Sequence, residues 1–254
     1  MKYKFILLFV LNSCCLALQA NDLTKSTIVY NPSDHPLARQ IAKVLSEDIE
    51  RVSGIKPTVS TSKGKGQNII LATANKTSRH KELRKKWERY AIDTDRQNIY
   101  ITGSDARGLA YGVFHISEQI GVNPWYWFAD IPVDKNNPKV YDYQETYVSK
   151  SPTIKYRGIF INDEDWGLKT WAERNFEKEL GDIGPKTYDR VCELILRLKG
   201  NMLAPAMHTC TGAFYSHPES QVMADKWGIM ITTSHCEPLL FNNASPWEWD
   251  KNRD

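Results

Sequence analysis

The first half of the chain alternates short apolar runs with amphipathic stretches. In two of these stretches apolar residues recur at helix spacing, which predicts one helix ending before Gly54 and a second that begins at Ser104 or Asp105 and ends before Gly121. The charged segment 79–89 has high helix propensity and is predicted to be a solvated surface helix. The apolar runs predict strands at residues 27–30, 58–60, 68–71, 90–93 and 99–102, the last two as a hairpin across residues 94–98.

The second half has a different pattern, in which continuous apolar runs alternate with stretches of apolar residues at helix spacing. Thr187 is predicted to cap a helix that Gly200 ends, and Pro218 is predicted to begin a helix that Gly228 ends. Strands that are apolar on both faces and joined by crossover helices favour parallel pairing. The apolar runs place these strands at residues 158–161, 202–204 and 229–232.

A polar, turn-rich segment at residues 133–152 separates the two halves. We therefore predict a boundary near Pro152, between a small N-terminal α/β domain at residues 21–150 and a second unit at residues 151–254. The 254 residues are 41% hydrophobic and 25% charged, a composition that excludes fibrous and disordered proteins. The 33 Lys and Arg residues barely exceed the 30 Asp and Glu residues, so no basic excess favours nucleic acid or an anionic membrane surface.

The first twenty residues have the pattern of an export signal. Lys2 and Lys4 precede the apolar run Phe5–Leu11, and Ala20 is a small residue suited to cleavage. The alternative is a hydrophobic first strand. The run is too short to span a bilayer, and the later sequence has no apolar stretch of membrane-spanning length, so no membrane span is predicted. We expect an exported protein, located in the periplasm, at the cell surface or outside the cell.

Cysteines add two expectations. Cys14 and Cys15 lie where a lipoprotein signal places its lipidated cysteine, although Asn12 matches that signal poorly, so lipidation stays open. Beyond residue 20 the chain has three cysteines, an odd number that argues against a disulfide scaffold: Cys192, Cys210 and Cys236.

Candidate chemistry lies where the three apolar strands of the second half end. Ligands of parallel α/β sheets bind at the carboxyl ends of the strands. Loops are polar regardless of function, so each position also has an ordinary interpretation as a surface residue, and their coincidence at one edge is what favours a site. The candidate substrate-binding residues at this edge are Asn162, Asp163, Glu164, His208, His235 and Glu237.

Other chemistries fit the sequence less well. A Ser or Cys nucleophile beside His235 would need the two side chains to meet, whereas neighbours on an extended segment point apart. The glycine-containing segment 63–67 lacks the remainder of a phosphate-binding loop. A metal site would draw on residues whose spacing matches no usual zinc pattern, so no metal or cofactor is predicted: His208, Cys210, His217, His235 and Cys236.

Aromatic residues around the predicted boundary suit a sugar substrate. Aromatic faces stack on the C–H face of a sugar ring, while acids bind its hydroxyl groups. For Trp125 and Trp127 a place in the core between the domains is an equally good interpretation. The aromatic residues in question are Trp125, Tyr126, Trp127, Phe128, Trp166 and Trp171.

Several stretches together resemble a known family. The matching stretches are Gly103–Gly112, Ser117–Asp130, Tyr156–Glu164, Arg197–Asn201 with Pro205–Met207, and Thr233–Pro238. From about residue 100 to 240 they resemble the xylan α-glucuronidases of glycoside hydrolase family 115. A related α-glucuronidase family shares part of the first two stretches.

The resemblance implies an α/β domain followed by a (β/α)8 barrel with a pocket for a terminal (4-O-methyl)glucuronic acid. It implies inverting hydrolysis of the α-1,2 bond to xylan, in which one acid protonates the leaving oxygen and a second carboxylate activates water. Asp163 or Glu164, and His235, fall on family pocket positions. The family usually has Trp where His208 stands and a second His where Cys236 stands, which leaves the exact sugar or linkage open.

The predicted fold class is α/β, with the N-terminal domain followed by the first three strands of a truncated barrel. Such a barrel takes about 250 residues and eight strands. In the resembled family the catalytic acid lies on a later strand, so we expect it beyond Asp254 and leave the catalytic residues of this chain unknown. We expect this chain alone to be poorly soluble and inactive on glucuronoxylan. The alternative is a non-catalytic carbohydrate-binding or interaction protein derived from such an enzyme, and the full-length enzyme could form a homo-oligomer.

Overall fold

The computed structural model describes residues 21–95, 97–162, 167–206 and 210–233. The export signal predicted at residues 1–20 lies outside these ranges. The strands are β1 (Thr27–Tyr30), β2 (Thr58–Ser60), β3 (Asn68–Thr73), β4 (Tyr90–Thr94), β5 (Asn98–Gly103), β6 (Tyr147–Val148), β7 (Gly158–Phe160), β8 (Met202–Ala204) and β9 (Met230–Ile231). The helices are α1 (Leu37–Ser53), α2 (Ala106–Gln119), α3 (Leu168–Asn175), α4 (Pro185–Arg197) and α5 (Pro218–Trp227). No helix in the described ranges is both long and apolar enough to cross a membrane.

The first sheet contains six strands in the order β2-β1-β3-β5-β4-β6. Strands β2, β1, β3 and β5 are parallel, and β4 runs antiparallel to both β5 and β6. The predicted hairpin is therefore formed by β4 and β5. Helix α1 ends where Gly54 adopts a φ of 76°, a left-handed conformation that glycine takes without steric cost.

Helix α2 packs tightly against this sheet. Of the two capping candidates, Asp105 is the residue used, because its Oδ1 accepts a hydrogen bond from the Gly108 backbone N–H at 2.8 Å. A Cβ atom at Gly108 would lie 2.3 Å from the Arg89 carbonyl oxygen, so only glycine allows the helix to approach the start of β4 this closely.

The charged segment 79–89 is not the solvated surface helix that its composition predicts. Only Lys81–Leu83 forms a 3₁₀ turn, and Lys85 and Glu88 have positive φ values of 61° and 49°. Leu83 is buried in a small cluster, and the Glu88 side chain is fully buried by partners from distant parts of the chain. Burying these two side chains outweighs the helix propensity of the segment, because tertiary contacts override intrinsic propensity.

The second sheet contains β7, β8 and β9 in that order, all parallel, with Ile159 opposite Leu203 and Leu203 opposite Ile231. Helices α4 and α5 form the crossovers, so the α/β class and the parallel strands predicted for the second half are confirmed. The sequence pattern did not predict helix α3, which follows β7 and precedes α4.

The start of α4 differs from the prediction, because Thr187 does not cap the helix. The helix begins at Pro185, and Glu177 takes the capping role from outside it. Glu177 Oε1 accepts hydrogen bonds from the backbone N–H groups of Lys186 at 2.7 Å and Thr187 at 3.1 Å. The carboxylate thus satisfies two of the N–H groups that have no partner within the helix.

One hydrophobic core extends over both sheets, from Leu37 on α1 to Leu203 on β8 and Trp227 on α5. The boundary near Pro152 stays a prediction. Two buried ionic groups also join the halves. In the first, Arg197 of α4 contacts Asp48 of α1 at 2.9 Å and Glu193 at 2.7 Å.

The second buried group is centred on Glu88. Its carboxylate oxygens lie 2.6 Å from Arg107 Nε and 2.5 Å from an Arg157 guanidinium nitrogen. The Asn201 side-chain amide donates a third hydrogen bond to Glu88 at 2.8 Å. Arg157 precedes β7 and Asn201 precedes β8, so Glu88 fixes the amino ends of two strands of the small sheet against the first half.

Candidate functional site

The carboxyl ends of β7, β8 and β9 lie at one edge of the small sheet. The Ile161 N–H donates to the Ala204 carbonyl oxygen at 2.9 Å, and the Thr232 N–H donates to the Leu203 carbonyl oxygen at 2.9 Å. The chain therefore leaves all three strands at the same level. Asn162, the first of the predicted site residues, is exposed at this edge.

The other predicted site residues lie outside the described residues: Asp163, Glu164, His208, His235 and Glu237. In the sequence these residues come after the ends of β7, β8 and β9. Their mutual contacts stay a prediction.

Asp182 and His217 connect the segments that follow β7 and β8. Asp182 Oδ2 accepts a hydrogen bond from the Gly212 N–H at 2.9 Å and lies 2.7 Å from His217 Nε2. Lys169 Nζ adds a second connection by donating to the Cys210 carbonyl oxygen at 2.9 Å. These contacts hold the segment from Lys169 to Asp182 against the segment from Cys210 to His217.

Sequence reasoning missed Asp182, because 35 residues separate it from His217 and it lies between two glycines with no pattern of its own. The sequence indicated His217 only as one possible ligand of a metal site, and the spacing of those ligands did not favour that site. Within the described ranges, no three His, Cys, Asp or Glu side chains come together as a metal would require.

Removing the Asp182 carboxylate should loosen this connection. We expect Asp182→Ala to lower the free energy of unfolding by about 1–3 kcal/mol, because a partly buried hydrogen-bonding carboxylate is lost. Hydrogen–deuterium exchange at the Gly212 amide should accelerate, since its acceptor is gone. Asp225→Ala on the exposed side of α5 serves as the control. Unchanged exchange at Gly212 would show that Asp182 does not hold the segment.

Aromatic residues pack together between the end of α2 and helix α3. Trp127 lies 5.4 Å from Phe176 between ring centroids, and Trp171 lies 4.8 Å from Phe128. The Arg190 guanidinium lies 4.9 Å from the Trp127 ring centre. Trp127 therefore packs between the halves, as the core interpretation holds, whereas Trp125 is 40% exposed. Trp166 lies outside the described residues.

Two family models match different parts of the chain. The family model for Glycosyl hydrolase family 115 matches residues 149–254, and the model for Glycosyl hydrolase family 20, domain 2, matches residues 17–117. No curated protein matches the chain.

Solved structures include a family GH115 4-O-methyl-α-glucuronidase with specificity for decorated arabinogalactans. It is 34% identical to this chain with a TM-score of 0.74 over 85% of this chain, and this chain spans 29% of its length. A GH138 enzyme that targets pectin rhamnogalacturonan II is 15% identical with a TM-score of 0.51, over 82% of this chain and 24% of that one. The GH20 β-N-acetylhexosaminidase from Streptomyces coelicolor A3(2) is 14% identical with a TM-score of 0.50, over 83% of this chain and 42% of that one. The last two share the fold alone.

Proposed function

We propose that this chain, which resembles the N-terminal part of glycoside hydrolase family 115, serves in removing glucuronic acid branches from an acidic polysaccharide. The observation that carries the proposal is the 34% identity to a solved 4-O-methyl-α-glucuronidase over 85% of this chain. In this proposal β7, β8 and β9 are the first strands of a (β/α)8 barrel, and the carboxyl edge of these strands faces the substrate.

The residues at that edge have the chemistry that a uronic acid needs. Hydrogen-bonding groups for the sugar hydroxyls and carboxylate come from Asn162, His208 and His235. Asp163, Glu164 and Glu237 accept hydrogen bonds from hydroxyls or position water. Hydrolysis with inversion also needs a general acid, which the proposal does not assign to any of these residues.

Two polymers are candidates for the substrate. Glucuronoxylan is the substrate implied by the sequence motifs, whereas the solved relative has specificity for decorated arabinogalactans. Both are too large to enter a cell, which agrees with the proposed export. His208 and Cys236, at which the sequence departs from the family pattern, are the positions where we expect the choice to be made.

The test is an assay of the complete gene product on glucuronoxylan and on arabinogalactan that carries uronic acid. We expect release of free uronic acid from at least one of them, with the new reducing end in the inverted configuration. Binding without release from either polymer would support the non-catalytic alternative, a carbohydrate-binding protein derived from such an enzyme.

Two substitutions test the site within that assay. Asp163→Ala and His235→Ala should each lower kcat/KM by at least about tenfold, a loss of roughly 1.4 kcal/mol of transition-state stabilisation. Lys65→Ala, on an exposed loop of the first half, is the matched control and should leave kcat/KM unchanged. Wild-type kinetics in both site variants would remove these residues from the site.

A further inference from the structure

A cavity of about 770 Å³ lies between the two sheets, at the opposite edge of the small sheet from Asn162. Arg157, directly before β7, and Lys199, shortly before β8, form one wall, so the cavity adjoins the amino ends of these strands. Its volume falls within the roughly 300–1,000 Å³ of small-molecule sites. The proposed hydrolysis does not use this cavity.

The wall from the first half is aromatic. The ring centroids of His115 and Tyr147 lie 4.8 Å apart, and those of Tyr90 and Tyr147 lie 5.6 Å apart. Tyr90 is almost fully buried, whereas Tyr147 is 38% exposed. Part of the Tyr147 ring is therefore accessible to an occupant, and contacts with Tyr90 and His115 hold this ring in place.

His115 leaves a hydrogen-bonding group without a partner. Its Nδ1 lies 3.0 Å from the Tyr90 hydroxyl oxygen, but its buried Nε2 has no hydrogen-bond partner in the part of the chain that the structure describes. Burial lowers the pKa of His115, so the ring is neutral at neutral pH. Because solvent does not reach this nitrogen, His115 supports the Tyr147 ring and offers no accessible hydrogen-bonding group to an occupant of the cavity.

The charged groups of the lining favour an anion. Glu88 and Arg157 neutralise each other at 2.5 Å. Lys199 lies 3.7 Å from Glu118 across an exposed rim, and Lys150 is exposed with no ion pair among the described residues. Lys150 is thus the cationic group of the lining whose charge is not opposed.

We propose that this cavity is a second carbohydrate site, which binds a uronic acid unit of the polymer apart from the site of hydrolysis. The C–H face of the sugar stacks on Tyr147, and Lys150 and Lys199 bind the carboxylate. The proposal rests on the proposed function for the kind of polymer, and it explains how a chain could hold a branched polysaccharide at two places.

The test measures binding of two ligands to the purified protein by isothermal titration calorimetry. One ligand is a xylo-oligosaccharide bearing 4-O-methylglucuronic acid, and the other is the same oligosaccharide without the acid. Tyr147→Ala should weaken binding of the acidic ligand by about fivefold to tenfold. Tyr141→Ala is the matched control, because Tyr141 is 37% exposed but does not line the cavity.

Lysine variants test the charge. Lys150→Ala should weaken binding of the acidic ligand about fivefold and leave binding of the neutral ligand unchanged, whereas Lys65→Ala should change neither. Circular dichroism of each variant verifies that it is folded.

The outcomes separate this proposal from the proposed hydrolysis. Binding that Asp163→Ala abolishes but Tyr147→Ala leaves intact would place all binding at the carboxyl edge and overturn the second site. No binding of the acidic ligand, or equal loss of both ligands in Lys150→Ala, would also overturn it. Failure of the hydrolysis proposal has a different readout, since no uronic acid would then be released by the complete gene product even if the cavity binds its ligand.

Discussion

Arg197→Ala should lower the free energy of unfolding by about 3–5 kcal/mol, as expected when one partner of a buried ion pair is removed. The Arg197 side chain is only 2% exposed, and it lies between two carboxylates, those of Asp48 and Glu193, that are themselves almost fully buried. Without this guanidinium Asp48 and Glu193 would lose the buried cation between them and keep only the partly exposed Arg51 and Arg190 as ion-pair partners. Burial already raises the pKa of the Asp48 carboxyl, and the loss of Arg197 would raise that pKa further.

Packing adds to this effect. The Arg197 guanidinium lies 4.6 Å from the ring centre of Phe114 and 5.0 Å from that of Tyr126, so the substitution also removes contacts between α4 and the first half. Urea unfolding followed by tryptophan fluorescence measures the change. Lys56→Ala, which breaks an exposed ion pair to Glu50 of 2.8 Å, is the control and should leave the midpoint unchanged. A loss in Arg197→Ala no larger than in this control would mean that the cluster does not join the halves.

Most regular elements of both halves could be predicted because they depend on a local pattern, whereas helix α3 and strand β6 were not predicted. Apolar runs such as 68–71 mark strands, and glycines such as Gly54 and Gly228 end helices in left-handed conformations. The parallel pairing of the small sheet followed from the apolar character of its strands on both faces. None of these inferences requires knowledge of which distant residues meet.

The errors occurred where distant residues decide the local structure. Residues 79–89 fail to form a helix because Glu88 is held by Arg157, which lies 69 residues away in the sequence. The predicted cap at Thr187 is replaced by Glu177, a carboxylate ten residues before it. A single sequence contains no signal for such pairings, since charged residues of this kind usually lie on the surface.

The candidate site likewise has features that the sequence could predict and features that it could not. A general rule for parallel sheets predicted a site at the carboxyl edge of the small sheet, where Asn162 is found, and the other predicted site residues lie outside the described residues. The pairing of Asp182 with His217 and the cavity beside Tyr147 depend on how separate segments pack, so no pattern in the sequence predicted them.

Glu88→Gln should lower the free energy of unfolding by about 3–5 kcal/mol, with almost no change in side-chain size. Glu88 Oε2 accepts from Arg157 at 2.5 Å, and an amide group at this position would replace one accepting oxygen with a donor. The Arg107 and Arg157 side chains, which are 19% and 23% exposed, would then lose the buried carboxylate that both guanidinium groups contact. Glutamine has no more freedom than glutamate at the positive φ of 49°, so backbone strain is equal in the two proteins and cancels in the comparison.

Urea unfolding again provides the measurement, and Trp87 gives a local signal because the Arg107 guanidinium lies 5.0 Å from its ring centre. Glu118→Gln is the matched control, since it makes the same chemical change at an exposed residue that pairs with the exposed Lys199 at 3.7 Å. We expect the Glu118 variant to unfold at the wild-type urea concentration and the Glu88 variant at a markedly lower one. Equal midpoints for the two variants would show that Glu88 does not neutralise the arginines, and that the amino ends of β7 and β8 are held by packing alone.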